Sequence, residues 1–174
     1  LYGVTGSGKT QVYLHLIQKA LEAGRGAIVM VPEIALTPSL LQIFLAHFGR
    51  QVAILHSCLP TGERYDEWKR VRDGRAKVIV GTRSAVFAPL PDLGLIILDE
   101  EQESSYPSES MVRYHAREVA KFRCKQHKGL LLLGSATPAV ESRYAAETGQ
   151  YHLFTLQQRY NAHQLPKVVL ADMK

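Results

Sequence analysis

Residues 1–17 read LYGVTGSGKTQVYLHLI and contain a glycine-rich loop between a short apolar stub and an amphipathic segment. Within them GVTGSGKT, residues 3–10, matches the pattern G-x-x-x-x-G-K-[ST] at every fixed position. Glycines in such a loop let backbone N–H groups turn toward a phosphate chain where a strand passes into a helix. The stretch therefore predicts a nucleotide-binding α/β fold, and a merely flexible glycine turn is the alternative.

The side chains of this loop suggest a division of roles. Lys9 is expected to reach the β and γ phosphates of ATP, and the Thr10 hydroxyl is expected to bind Mg²⁺ at the helix N-terminus. The predicted nucleotide contacts are Gly3, Thr5, Gly6, Ser7, Gly8, Lys9 and Thr10.

Farther along the chain, short apolar runs alternate with amphipathic segments, which indicates a doubly wound, mainly parallel sheet with helices on both faces. The predicted strands are 27–31, 52–56, 77–81, 95–99, 130–134 and 152–156. The predicted helices are 9–23, 37–48, 62–73, 115–127 and 138–148. Gly24, Gly49 and Gly149 stand where helices should end, and Thr37 followed by Pro38 is typical of an N-cap and first helical position. Ligands should gather at the carboxyl ends of such strands.

The bulk composition fits one ordinary domain over residues 1–174, with 46% hydrophobic and 21% charged residues. Its apolar runs are too short to cross a bilayer and no signal-peptide pattern begins the chain, so we expect a cytoplasmic protein with no membrane partner. The two cysteines, Cys58 and Cys124, stand apart and suggest neither a disulfide framework nor a zinc site. The net charge of +5 weakly favours a polyanionic partner.

An acidic motif follows the fourth predicted strand, where LIILD runs into EEQ. Asp99 at the strand end is suited to hold hydrated magnesium, and Glu100 to orient and deprotonate a water that attacks the γ phosphate. Acidic residues after a strand are common on surfaces, but their order after the phosphate loop favours ATP hydrolysis.

Together with GSATP at 134–138, these motifs resemble those of the first motor lobe of superfamily 2 helicases. More narrowly, the segments VPEIALTP, VIVGTRSAVFAPLPDLGLIILDEE, RYHAREVA and LGSATPAVES resemble the PriA (primosomal protein N′) family of replication-restart helicases. The resemblance covers nearly the whole chain. It implies a RecA-like, ATP-binding lobe 1 of an ATP-dependent DNA helicase that acts in fork restart and primosome assembly.

The same resemblance implies parts beyond this lobe. These are a DNA-binding amino-terminal region and a second lobe with a zinc-binding insertion and an arginine finger, toward which residues 157–174 would lead. On this hypothesis the chain is an excised motor lobe, nearly inactive alone. Its implied partners are single-stranded and forked DNA, primosome proteins and single-strand-binding proteins, and its cofactors are ATP and Mg²⁺, with zinc only in the second lobe.

Two features depart from the family pattern. PriA proteins usually read DEEH, whereas this chain has Gln102 in place of the histidine. A glutamine can still sense the γ phosphate by hydrogen bonding, so we expect an altered link between hydrolysis and movement. Ser135 and Thr137 are expected to hydrogen-bond toward Glu100 and Gln102 and to relay their state. The segment after SSY reads PSES where the family usually has Lys and Gln.

The resemblance to helicases implies contacts with DNA, mainly at phosphates. Thr37 at a helix N-terminus and Arg83 after a strand are the candidates, although an N-cap without ligand and a surface arginine are the simpler interpretations.

The loop 102–114 is Ser-rich and broken by Pro107, so we expect it to be mobile. The loop resembles the aromatic-rich loop of PriA and related helicases, which implies that Tyr106 and Tyr114 stack on bases and couple DNA arrival to the ATP site; ordinary surface tyrosines are the alternative.

Competing functions remain at this point. The chain could be a nucleotide-dependent DNA-binding or assembly platform with little unwinding activity, or another superfamily 2 DNA translocase. A small P-loop kinase is disfavoured, because DEEQ and GSATP suit water activation and mechanical coupling better than phosphate transfer to an acceptor.

Overall fold

The computed structural model describes residues 1–108 and 113–159. In these residues the strands are β1 (Tyr2–Gly3), β2 (Gly26–Met30), β3 (Val52–Leu55), β4 (Val78–Gly81), β5 (Leu93–Asp99), β6 (Leu130–Gly134) and β7 (Thr155–Leu156). The α-helices are α1 (Lys9–Glu22), α2 (Pro38–Phe48), α3 (Thr61–Arg72), α4 (Ala116–His127) and α5 (Val140–Glu147). Short 3₁₀ turns cover Glu33–Ala35, Gly49–Gln51 and Arg83–Phe87.

The strands form a parallel sheet in the order β3-β4-β2-β5-β6, and β1 pairs with β7, also in parallel. A parallel bridge from Tyr2 to Ser135 joins the two parts, because Ser135 directly follows β6. The Gly3 amide donates to the Ser135 carbonyl at 3.1 Å. The phosphate loop therefore leaves the sheet beside the turn that follows β6. The predicted doubly wound α/β fold is confirmed.

Helices cover both faces of the sheet, and the strand side chains alternate between them. Ala27 and Val29 of β2 pack with α1 and α2, whereas Ile28 and Met30 pack with α3, α4 and the turn at Arg83–Phe87. All four side chains are fully buried. Strands covered on both sides lose polar alternation, which is why the sequence shows continuous apolar runs.

Most predicted boundaries agree with the structure to within two residues. Gly24, Gly49 and Gly149 follow helices with φ of 77°, 52° and 76°, a conformation that favours glycine. Thr37 caps α2, since its Oγ1 accepts from the Leu40 amide at 3.3 Å. No helix in the described residues is both long and apolar enough to span a membrane.

One boundary was predicted wrongly by more than two residues, and one helix start lies at the limit of that margin. The strand expected at 152–156 is only Thr155–Leu156, because its partner β1 offers just two residues for pairing. The helix expected from 138 begins at Val140, and Ala139 serves as its N-cap. Residues 160–174, most of the segment expected to lead toward a second lobe, lie outside the described part.

Candidate nucleotide and nucleic-acid site

The phosphate loop, residues 3–10, connects β1 to α1 through two left-handed glycines. Gly6 has φ of 78° and Gly8, the N-cap of α1, has φ of 89°. No described side chain caps α1 at Gly8. The first amides of the helix and its positive dipole end are therefore available to an anion, as a phosphate cradle requires.

Lys9 and Ser7 provide the polar side chains of this loop. The Lys9 side chain is nearly buried; its Nζ donates to the Gly3 carbonyl at 3.0 Å and lies 3.7 Å from Glu100 Oε1. Ser7 Oγ is buried and has no hydrogen-bond partner within the described part of the chain. A buried hydroxyl without a partner is costly, and a phosphate oxygen would satisfy it. These residues therefore fit the triphosphate of a nucleotide.

Asp99 ends β5 beside this loop. Tyr13 of α1 donates its hydroxyl to Asp99 Oδ1 at 2.7 Å. Burial raises the pKa of the Asp99 carboxyl above its ordinary value, and the hydrogen bond from Tyr13 opposes that shift. A divalent cation beside the carboxylate would favour its ionised form further, so the donor set suits magnesium.

Glu100 follows Asp99 with a φ of 46°, which is rare outside glycine. Its carboxylate takes part in a hydrogen-bond chain. Gln102 Nε2 donates to Glu100 Oε2 at 3.1 Å, and the Ser135 hydroxyl donates to Gln102 Oε1 at 2.6 Å. The Thr137 amide donates to Ser135 Oγ at 2.8 Å. Ser135 therefore contacts Gln102 directly and reaches Glu100 only through the Gln102 amide, both ends of which are engaged. Thr137 bonds to Ser135 through its main-chain amide rather than to Gln102 or Glu100, and the relay by Ser135 and Thr137 stays a prediction.

Glu101 makes contacts that no sequence motif predicted. Its side chain is almost fully buried; Oε1 accepts from the Ala139 amide at 2.8 Å, and Oε2 accepts from Ser142 Oγ at 2.9 Å and Arg117 Nη1 at 3.2 Å. The carboxylate thereby caps α5 and joins it to α4. The only sequence signal was a third consecutive acidic residue, with an arginine sixteen positions later.

The segment after the acidic motif corrects one expectation. Tyr106 is fully buried in the core between β2, β5 and α4, and its hydroxyl lies 2.5 Å from the Asp99 carbonyl and 3.1 Å from the Met30 carbonyl. Ser108 and Ala116 donate their amides to the Tyr114 and Tyr106 carbonyls at 2.7 and 3.1 Å. The described part of 102–114 is therefore anchored, and Tyr106 cannot stack on a base, because its ring is already packed. Residues 109–112 lie outside the described residues.

Arg83 holds this same segment. Its Nη1 donates to the Ser105 and Pro107 carbonyls at 3.1 and 2.5 Å, and its guanidinium lies 5.9 Å from the Tyr114 ring centroid. Tyr114 packs edge-on against the half-exposed Phe87, with centroids 4.9 Å apart. Thr37 is exposed at the N-terminus of α2. Phosphate binding by Thr37 and Arg83 and base stacking by Tyr114 stay predictions.

Comparison with protein families gives a match to the DEAD/DEAH box helicase model over residues 1–145. Among curated proteins, the chain is 52% identical over its whole length to the replication restart protein PriA of Bacillus subtilis (strain 168). It is 46% identical to the protein of the same name from Synechocystis, again over its whole length. The chain spans 22% of the length of each of these relatives.

Solved structures show the same architecture. RecG bound to a three-way DNA junction matches with a TM-score of 0.64 and 26% identity, covering 90% of this chain and 20% of that one. The C-terminal domain of the DEAD-box protein Dbp5 matches with a TM-score of 0.61 and 19% identity, covering 90% of this chain and 88% of that domain. The second likeness concerns the fold alone.

Proposed function

The chain belongs to the DEAD/DEAH box helicase family, and from that premise we propose that it is the ATP-binding lobe of a DNA helicase that restarts replication forks. The observation that carries the proposal is the meeting of two motifs at the carboxyl ends of β1 and β5, where Lys9 Nζ lies 3.7 Å from Glu100 Oε1. A phosphate-binding loop thus lies beside a carboxylate suited to activate water. Similarity to the PriA proteins supports the role in restart.

In this proposal the loop 3–10 binds the phosphates of ATP, and Ser7 and Lys9 contact their oxygens. Thr10 and Asp99 hold Mg²⁺, which would neutralise charge on the β and γ phosphates when bound. Glu100 orients a water and accepts its proton, and Gln102 holds the Glu100 carboxylate from one side. An arginine finger and a zinc site belong to a second lobe, so residues 1–174 alone turn ATP over slowly.

DNA binds at the carboxyl ends of β2 and β4, where Thr37 and Arg83 contact its backbone. Tyr106 serves coupling rather than stacking, because its hydroxyl contacts the Asp99 carbonyl while its neighbours Ser105 and Pro107 hold Arg83. A phosphate that displaces Arg83 from these carbonyls would therefore shift the backbone of the acidic motif.

Single-stranded and forked DNA, primosome proteins and single-strand-binding proteins are the proposed partners, and the cytoplasm is the proposed site of action.

The test is ATP turnover with and without single-stranded DNA, first on this chain and then with the second lobe attached. We expect slow turnover that DNA hardly changes in the first case. In the second case we expect DNA-stimulated release of inorganic phosphate that Glu100→Gln abolishes. Stimulated turnover that survives Glu100→Gln would contradict the assigned base, and phosphate transfer to an acceptor would indicate a kinase.

A further inference from the structure

Two buried tyrosines contact Asp99 from opposite faces of the sheet. Tyr13, which is 2% exposed, packs with α1 and α2 and donates to the carboxylate at 2.7 Å. Tyr106, which is 0% exposed, packs on the α4 face and contacts the main-chain carbonyl of the same residue. Only Tyr13 acts on the side chain that would face a metal.

Tyr13 also lies on the element that carries the other proposed magnesium ligand. It follows Lys9 by four residues and Thr10 by three on α1, so it shares a face of the helix with both. Its hydrogen bond to Asp99 spans 86 positions in sequence. The bond therefore fixes the distance between the helix that bears Thr10 and the strand that bears Asp99.

The space for this hydroxyl depends on a glycine. Gly134 pairs with Asp99 across β5 and β6. A Cβ at position 134 would lie 1.9 Å from Tyr13 Oη and 3.3 Å from Asp99 Oδ1. Any larger residue at position 134 would displace the Tyr13 hydroxyl. The glycine therefore provides the space in which the tyrosine reaches the Asp99 carboxylate.

We propose that Tyr13 is a positioning residue for magnesium: its hydroxyl engages Asp99 Oδ1 and holds the carboxylate plane in the orientation in which it would meet the metal or its waters. The inference deepens the proposed function and rests on it. Ligating carboxylates need a hydrogen-bond partner that sets their orientation, and loss of such a partner typically weakens metal binding by about 10- to 100-fold. A purely structural tie between α1 and β5 is the competing explanation.

The experiment measures ADP affinity by calorimetry, in EDTA and over a series of Mg²⁺ concentrations, for the wild-type chain and Tyr13→Phe. The phenylalanine ring keeps the packing and removes only the hydroxyl. We expect affinity in EDTA to change by less than about two-fold, and the half-saturating Mg²⁺ concentration to rise by about 10-fold. A merely structural tie would weaken ADP binding equally with and without metal, and that result, or no change at all, overturns the proposal.

Tyr106→Phe is the matched control, since it also removes a buried hydroxyl that contacts Asp99, but at the main chain. Its Mg²⁺ dependence should stay within about two-fold of wild type, and a shift as large as that of Tyr13→Phe would overturn the proposal. In an Asp99→Asn background, Tyr13→Phe should add nothing to the loss of metal dependence; an additive loss would show that Tyr13 acts elsewhere. Failure of the wild-type chain to bind ADP would instead contradict the proposed function.

Discussion

The phosphate loop (3–10) and the acidic segment (99–108) meet at the carboxyl ends of the strands, but their polar groups differ in how many hydrogen bonds they make. In the loop, Ser7 Oγ is buried without a partner in the described residues, and no side chain there caps α1. In the acidic segment, Glu101 accepts from three donors and Gln102 is engaged at both ends of its amide. The acidic segment, which would transmit a signal, thus has its hydrogen bonds already formed. The phosphate loop, which would hold a ligand, keeps, within the described part of the chain, a hydroxyl without a partner and a helix N-terminus without a side-chain cap.

This difference leads to a general expectation. Substitutions in the acidic segment should lower the free energy of unfolding, because they remove contacts already present. Substitutions in the phosphate loop should lower nucleotide affinity with a smaller effect on unfolding, because fewer contacts are already present there.

The largest effect is expected for Tyr106→Ala. Truncation of a fully buried aromatic costs about 3–5 kcal/mol in the free energy of unfolding, which urea denaturation followed by circular dichroism will measure. Tyr144→Ala, at a side chain 64% exposed, is the control and should cost less than about 0.5 kcal/mol. Equal, small losses for both variants would restore the view of 102–114 as a mobile surface loop.

Arg117→Ala comes next. Glu101 would be left buried without its cation, and removal of one partner of a buried ion pair typically costs about 3 kcal/mol or more. Arg143→Ala breaks the Arg143–Glu147 pair, whose side chains are 48% and 57% exposed, and should cost less than about 1 kcal/mol. If the two variants lost the same stability, the buried cluster around Glu101 would contribute no more than a surface pair.

On the loop side, Lys9→Ala should abolish measurable nucleotide binding. The lost charge-assisted hydrogen bonds to phosphate are each worth about 1.5–3 kcal/mol, so affinity for MgADP should fall by about 100-fold or more in calorimetry. The free energy of unfolding should fall by only about 1 kcal/mol, because the substitution also removes the hydrogen bond from Lys9 Nζ to the Gly3 carbonyl. Lys19→Ala, at an exposed residue of the same helix, serves as the control and should bind normally. Unchanged affinity in Lys9→Ala would refute the assignment of the loop.

Ser7→Ala should have the smallest effect and is the sharpest test of the division. It removes a hydroxyl without a partner, so stability should hold or rise by up to about 1 kcal/mol, while MgADP affinity falls by about 5- to 10-fold. Ser142→Ala, at a hydroxyl that donates to Glu101 at 2.9 Å, should show the reverse, lower stability and normal affinity. The same pattern in both variants would remove the distinction between the two regions.

Local motifs explain what the sequence could predict. The loop at 3–10 and the acid pair Asp99–Glu100 rest on short spacings whose backbone geometry is set locally, and both lie where expected. The Ser135–Gln102–Glu100 chain was reached through resemblance to a family. The helix ends at Gly24, Gly49 and Gly149 followed from the rarity of left-handed backbone outside glycine.

Tertiary contacts explain what was missed. Tyr13 contacts Asp99 at a sequence separation of 86 residues, and Glu101 contacts Ser142 at a separation of 41. No local sequence pattern predicts either pair. The Ser- and Pro-rich composition around Tyr106 predicted mobility, but a single aromatic that fills a gap between strands and helix is enough to anchor its neighbours. Burial of that kind depends on the shape of the assembled core.

The left-handed backbone at Glu100 sets stability against chemistry. A non-glycine residue with a φ of 46° carries a conformational penalty of about 1–2 kcal/mol, which glycine would avoid. A directed-evolution campaign that selected only for heat resistance would therefore favour Glu100→Gly, and it would discard the carboxylate that we propose orients water. Position 100 is one where a screen for thermal tolerance and a screen for turnover should enrich opposite residues.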